Sequence, residues 1–174
     1  MQIIDVHTHF LPPAYLSALE AHGRLTEDGF PTPAWDESAH VAMMDEAGIE
    51  LGIVSISSPH PWFGDGAEAA ALARRCNTAA AELEARHPGR FRFAASLPLP
   101  APELSLEELD YACGTLGAAA VKLPTNANGV YPGDPMLEPL FAELDRRRAV
   151  VILHPHQASR RTRRLLYREA ATPV

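Results

Sequence analysis

Five short apolar runs recur along the 174-residue chain, beginning near residues 2, 51, 91, 118 and 149, and a helix-type pattern occupies each gap. Strand alternating with helix predicts a parallel sheet with right-handed crossovers. Several runs are nearly continuous in apolar residues, as expected where both sheet faces are covered. The predicted strands are residues 2–9, Leu51–Ser57, Phe91–Leu97, Ala118–Leu123 and Ala149–His154. Between them, helices are predicted over residues 14–22, from an Asp36 N-cap to Ala47 with Gly48 closing it, and over residues 67–86. A further helix is expected behind a capping box at Ser105-Leu106-Glu107-Glu108, and another with Pro139 in its first turn. Gly23 to Trp35 reads as a loop, as does Pro124 to Gly133. An open doubly wound sheet and a (β/α) barrel both fit this alternation. The first strand–helix turn has no glycine-rich phosphate loop, which weakens the dinucleotide-binding version.

Composition removes several functions. Hydrophobic residues make up 47% and charged residues 21%, the balance of one globular domain. The net charge of -7 argues against a general nucleic-acid binder. No apolar run approaches the ~20 residues of a membrane span, and no signal peptide is evident. Cys76 and Cys113 are too few for a disulfide framework and read as buried free thiols. A cytoplasmic protein is the default.

Chemistry concentrates at strand ends. On a strand, residues i and i+2 point to one side, so Asp5, His7 and His9 are expected to share a face. Neutral imidazole is a common zinc ligand. His154 ends the fifth run as His7 and His9 end the first. Three imidazoles from two strands predict a three-ligand site for Zn2+ or another divalent metal, with a position open to water. Strand-end histidines suit the barrel, whose sites sit at that end. His156 lies beyond Pro155 and reads as a loop residue, and Asp5 as a group that orients a ligand or forms a salt bridge.

Lys122 ends the fourth run and carries three open readings: a snorkelling or salt-bridged lysine, a partner for a substrate carboxylate, and a carbamylated lysine between two metals. Asn126 and Asn128 follow it and are either substrate contacts or turn formers. His60, Trp62 and Phe63 either wall a pocket or pack the scaffold, while His22, His40 and His87 read as surface or packing residues.

The stretch Ile4-Asp5-Val6-His7-Thr8-His9-Phe10-Leu11-Pro12 resembles the opening of the amidohydrolase-related family, in particular its aminocarboxymuconate-semialdehyde decarboxylase-like members. His87-Pro88-Gly89-Arg90-Phe91, Ser96-Leu97-Pro98-Leu99-Pro100, Thr125 to Tyr131, Gly133-Asp134-Pro135 and Leu153-His154-Pro155 agree in order. The resemblance implies a (β/α)8 barrel with one zinc-type metal, held here by His7, His9 and His154. It implies a decarboxylase acting on a small carboxylated, unsaturated or aromatic compound, with metal-dependent hydrolysis of an amide or lactone as the alternative. The family also uses a later histidine and a later aspartate, and only about five β/α units fit this length. The expectation is therefore an apparently truncated single domain over residues 1–174 with a divergent Arg-rich tail at 157–174. A third reading follows, a catalytically incomplete half-barrel fragment or assembly module. With sheet edges left open, a homo-oligomer is expected.

Overall fold

The computed structural model describes residues 3–27 and 30–156, so the Arg-rich tail lies outside the described residues. Strand β1 (Ile4–His9) is followed by helix α1 (Pro13–Ala21) and a short antiparallel pair, β2 (Thr26–Glu27) with β3 (Phe30–Pro31). Then come α2 (Glu37–Ala47), β4 (Leu51–Ser55), α3 (Gly66–Arg86), β5 (Phe91–Ser96) and α4 (Pro102–Leu109). A π-helical turn at Asp110–Thr115 leads to β6 (Ala120–Pro124), α5 (Glu138–Arg146) and β7 (Val151–His154).

Five strands form one parallel sheet in the order β1-β4-β5-β6-β7. Neighbours in sequence are neighbours in the sheet. A doubly wound sheet reverses direction at a switch point; a barrel does not. The sequential order therefore assigns the (β/α)-barrel class with its first five β/α units. A flat sheet would hold its first and fifth strands about 19 Å apart, at ~4.8 Å per interval. Instead the last side chains of β1 and β7 touch, so the sheet curls as a half-barrel.

The outer face carries the core. Val54, Phe91 and Phe93 pack with Tyr15 and Leu19 of α1, Met44 of α2 and Leu72, Cys76 and Leu83 of α3. Val121 and Leu123 pack with Leu109, Leu140 and Leu144 in a second cluster. Each large side chain so buried contributes roughly 1.5–3 kcal/mol. Local signals fix the helix ends: Asp36 Oδ1 accepts the Ala39 N–H at 2.8 Å, and Gly48 closes α2 at φ 68°. Asp65 Oδ1 does the same for α3 through Glu68 N–H at 2.7 Å.

Three local expectations are corrected. The predicted loop at 23–35 contains the β2/β3 pair, where β-prone Thr26 and Phe30 outweigh the nearby proline and glycines. Helix α4 starts at Pro102, three residues before the expected capping box; Pro102 suits a first turn, and the Ser105 N–H already bonds Ala101 O at 2.9 Å. In β1 the register slips between Asp5 and Thr8, so strict alternation from Asp5 to His9 does not hold. This β-bulge, which contains Val6 and His7, bends the strand at its histidines.

Candidate metal centre

His7, His9 and His154 converge, each offering one ring nitrogen within 4.8 Å of the others. Their ring centroids stand 4.9–5.1 Å apart. His7 and His9 leave β1 on either side of Thr8, and His154 ends β7 on the opposite edge of the sheet. Asp5 Oδ1 accepts the His7 backbone N–H at 2.9 Å, which satisfies a donor freed at the bulge, and its charge acts on the His9 and His40 imidazoles.

The tautomers follow from the partners. His9 Nδ1 lies 3.2 Å from the Ser55 carbonyl oxygen, and His154 Nδ1 lies 2.8 Å from that of Pro155. A carbonyl oxygen only accepts, so each Nδ1 carries the hydrogen and each Nε2 presents a lone pair. The two Nε2 atoms face one another at 3.2 Å. Two lone pairs at that distance repel unless a cation lies between them. Two ligands on a tetrahedral zinc, at ~2.0–2.1 Å each, would stand about 3.3 Å apart. The residues therefore fit a divalent metal. Burial pushes both imidazoles down to about 4, His9 and His154 alike, with the Lys122 charge adding to the effect. Both are thus uncharged at neutral pH, the form that binds metal. Among the described residues the cluster contains no carboxylate.

Lys122 sits beside the cluster. It is buried near the end of β6, and its Nζ donates to the carbonyls of Ile56 and Ser57. Ser57, His60, Ser96, Lys122, His154 and His156 line one narrow cleft that joins the histidine cluster at His154. His60 Nε2 is bonded to Leu99 O at 3.2 Å, and burial holds its imidazole well below the usual range. The His156 N–H donates to Thr125 Oγ1 at 3.0 Å, and the residue stays outside the three-histidine group.

Asn126 and Asn128 are not brought to the cleft. Asn126 is buried in its turn, where Oδ1 accepts the Gly129 N–H at 3.4 Å. Asn128 is exposed at φ 50°. Phe63 stacks on His22, His40 bonds Thr8 and Trp35, and His87 pairs with Glu37. Sequence reading passed over Asn77, whose Oδ1 accepts the Ser96 N–H at 2.8 Å while its Nδ2 reaches Ser96 O and Glu108. It locks the end of β5 at the cleft. The available signal was a polar residue beside the apolar stripe of α3.

A sequentially wound parallel barrel with histidines gathered at its strand ends defines the class. The chain belongs to the amidohydrolase family, which matches residues 4–171. It is 39% identical over 156 residues to a 6-methylsalicylic acid decarboxylase of Aspergillus aculeatus, covering 87% of this chain and 47% of that one. The crystal structure of an amidohydrolase II superposes with TM-score 0.86 at 39% identity, over 90% of this chain and 51% of that one. A dihydroxybenzoic acid decarboxylase from Polaromonas sp. with bound manganese superposes with TM-score 0.76 at 26% identity, over 98% and 54%. The chain thus spans about half the length of the relatives it matches. No helix among the described residues is long and apolar enough to cross a membrane.

Proposed function

We propose that this chain carries the metal-binding part of a decarboxylase site for a small aromatic carboxylate. One observation carries the reading: two Nε2 lone pairs, each fixed by a carbonyl behind its ring, face each other at 3.2 Å. His7, His9 and His154 would hold the ion. Three nitrogens suit Zn2+, while manganese accompanies the Polaromonas relative. A bound divalent ion would supply Lewis-acid polarisation of the substrate's oxygen atoms. The carbonyls of Ser55 and Pro155 hold the imidazoles in the required tautomer, and the bulge in β1 delivers His7 and His9 together. Asn126 and Asn128 are substrate contacts in this reading only through their loop at the same end of the sheet as the histidines. Two free cysteines agree with a reducing, cytoplasmic setting. Exposed apolar side chains on both edge strands agree with a homo-oligomer.

The substrate class comes from the relatives and is tested by calorimetry with 6-methylsalicylate. Zn2+- or Mn2+-loaded protein is expected to bind it and metal-stripped protein is not. Equal binding without metal contradicts the reading, as does preference for a lactone or amide. Turnover of the 174-residue chain is expected to fall at least ~10²-fold below a full-length relative, since no carboxylate joins the histidines among the described residues.

A further inference from the structure

The chain has fourteen arginines and one lysine. That lysine, Lys122, is 8% exposed and lines the cleft beside His154. An ammonium has three donors. Two meet the carbonyls of Ile56 and Ser57, and the third meets nothing among the described residues. Every described arginine with an acidic partner is at a helix end or on the surface, whereas Lys122 is enclosed and pairs with no carboxylate among the described residues. A buried cation without a counter-ion is unfavourable: the amine either gives up its proton or gains an anion, and only the anion keeps it charged. The free space in the cleft is that of about one water molecule, enough to admit a carboxylate oxygen at its mouth and too little for an aromatic ring. A compact ammonium also fits a cage of two carbonyls that a planar five-donor guanidinium would not.

We propose that Lys122 is the anion anchor of this site: its ammonium, held by the Ile56 and Ser57 carbonyls, binds the carboxylate of a small acid beside His154. The aromatic nature of that acid rests on the function proposed above; the carboxylate does not. Burial pushes the free amine down to about 7, and a bound carboxylate restores its charge.

Because the chain has a single lysine, protein labelled with 13Cε-lysine gives one side-chain signal to follow. The Zn2+-loaded protein is titrated with 6-methylsalicylate, with 3-methylphenol (the same ring without the carboxylate) and with acetate. Sodium chloride at matched ionic strength is the control. The lysine signal is expected to move with 6-methylsalicylate and acetate and to ignore 3-methylphenol and chloride. In calorimetry Lys122→Met is expected to weaken 6-methylsalicylate at least tenfold, and Lys122→Arg not to restore it. The lysine titration needs no variant, so a poorly folded Lys122→Met does not spoil the test. A lysine signal that ignores both carboxylates overturns the anchor, whatever the metal does. A lysine that responds to acetate while no aromatic acid binds upholds the anchor and overturns only the aromatic substrate class.

Discussion

His9 and His154 stand 145 positions apart in sequence, on the first and last strands of the sheet, yet their Nε2 atoms are 3.2 Å apart. Three strands lie between them in the sheet, and the sheet curls until the ends of its two edge strands meet. Each imidazole is fixed from behind by a carbonyl, Ser55 for one and Pro155 for the other. These carbonyls orient both rings so that their Nε2 atoms face one another, an arrangement that suits a cation.

Asn77 supports the cleft from outside. Asn77 and Glu108 are each 2% exposed, and Asn77 holds both backbone groups of Ser96, the register partner of Lys122. Asn77→Ala strands a buried donor and two acceptors. The expected loss is about 2–3 kcal/mol. Urea denaturation checks it: the midpoint should fall with the slope unchanged.

Acid should destabilise the metal-free chain in two windows. His9 and His154 are pushed down to about 4 by burial, and burial also lowers His40 and His60. Between pH 6.5 and about 4 the unfolded chain binds protons that the folded chain refuses, so stability falls as pH falls through that range. Glu37 is held at about 2 by the Arg86 guanidinium and by His87. Its contribution is present above its ordinary 4.5 and is lost as pH falls toward 2. Denaturant midpoints measured from pH 7 to 3 should decline from 6.5 downward, and His154→Gln should flatten the upper window. A midpoint constant from pH 7 to 4 would contradict the assignment.

The edge strands predict association. Ile4 and Val6 on β1 are 46% and 55% exposed, and Val150 and Leu153 at β7 are 61% and 55% exposed. Open edges with apolar side chains recruit a further strand or a second copy. Light scattering on the purified chain should show species larger than a monomer, and Ile4→Lys with Val150→Lys should shift it toward monomer. Both positions are exposed, so their effect on stability should stay within about 0.5 kcal/mol. A monodisperse wild-type monomer would contradict this.

Much of the layout was legible because it rests on short-range rules. Apolar runs such as Val150 to Leu153 and Leu51 to Val54 mark strands, and Asp36 and Gly48 mark the ends of one helix. The i, i+2 spacing of His7 and His9, with His154 at a later strand end, was enough to bring three residues together on paper. What escaped depends on the third dimension. The bulge at Asp5–Thr8 is set by the neighbouring strand, and the start of α4 by Pro102 over the stronger-looking Ser105 motif. Asn77 is only a polar residue beside an apolar stripe, and Glu108 reads only as part of a capping box, until α3 and α4 pack around them. Asn126 is open in the sequence between substrate contact and turn former, and its Oδ1 accepts the Gly129 N–H within its own turn.

Metal content is the most direct test of the three-histidine centre. Purified chain is stripped with a chelator, reloaded with Zn2+, desalted and analysed by plasma mass spectrometry beside the double variant His9→Ala, His154→Ala. About one equivalent is expected in the wild-type chain and close to none in the variant, with folding of both checked by circular dichroism. Equal zinc in the two proteins would place the ion elsewhere and contradict the account.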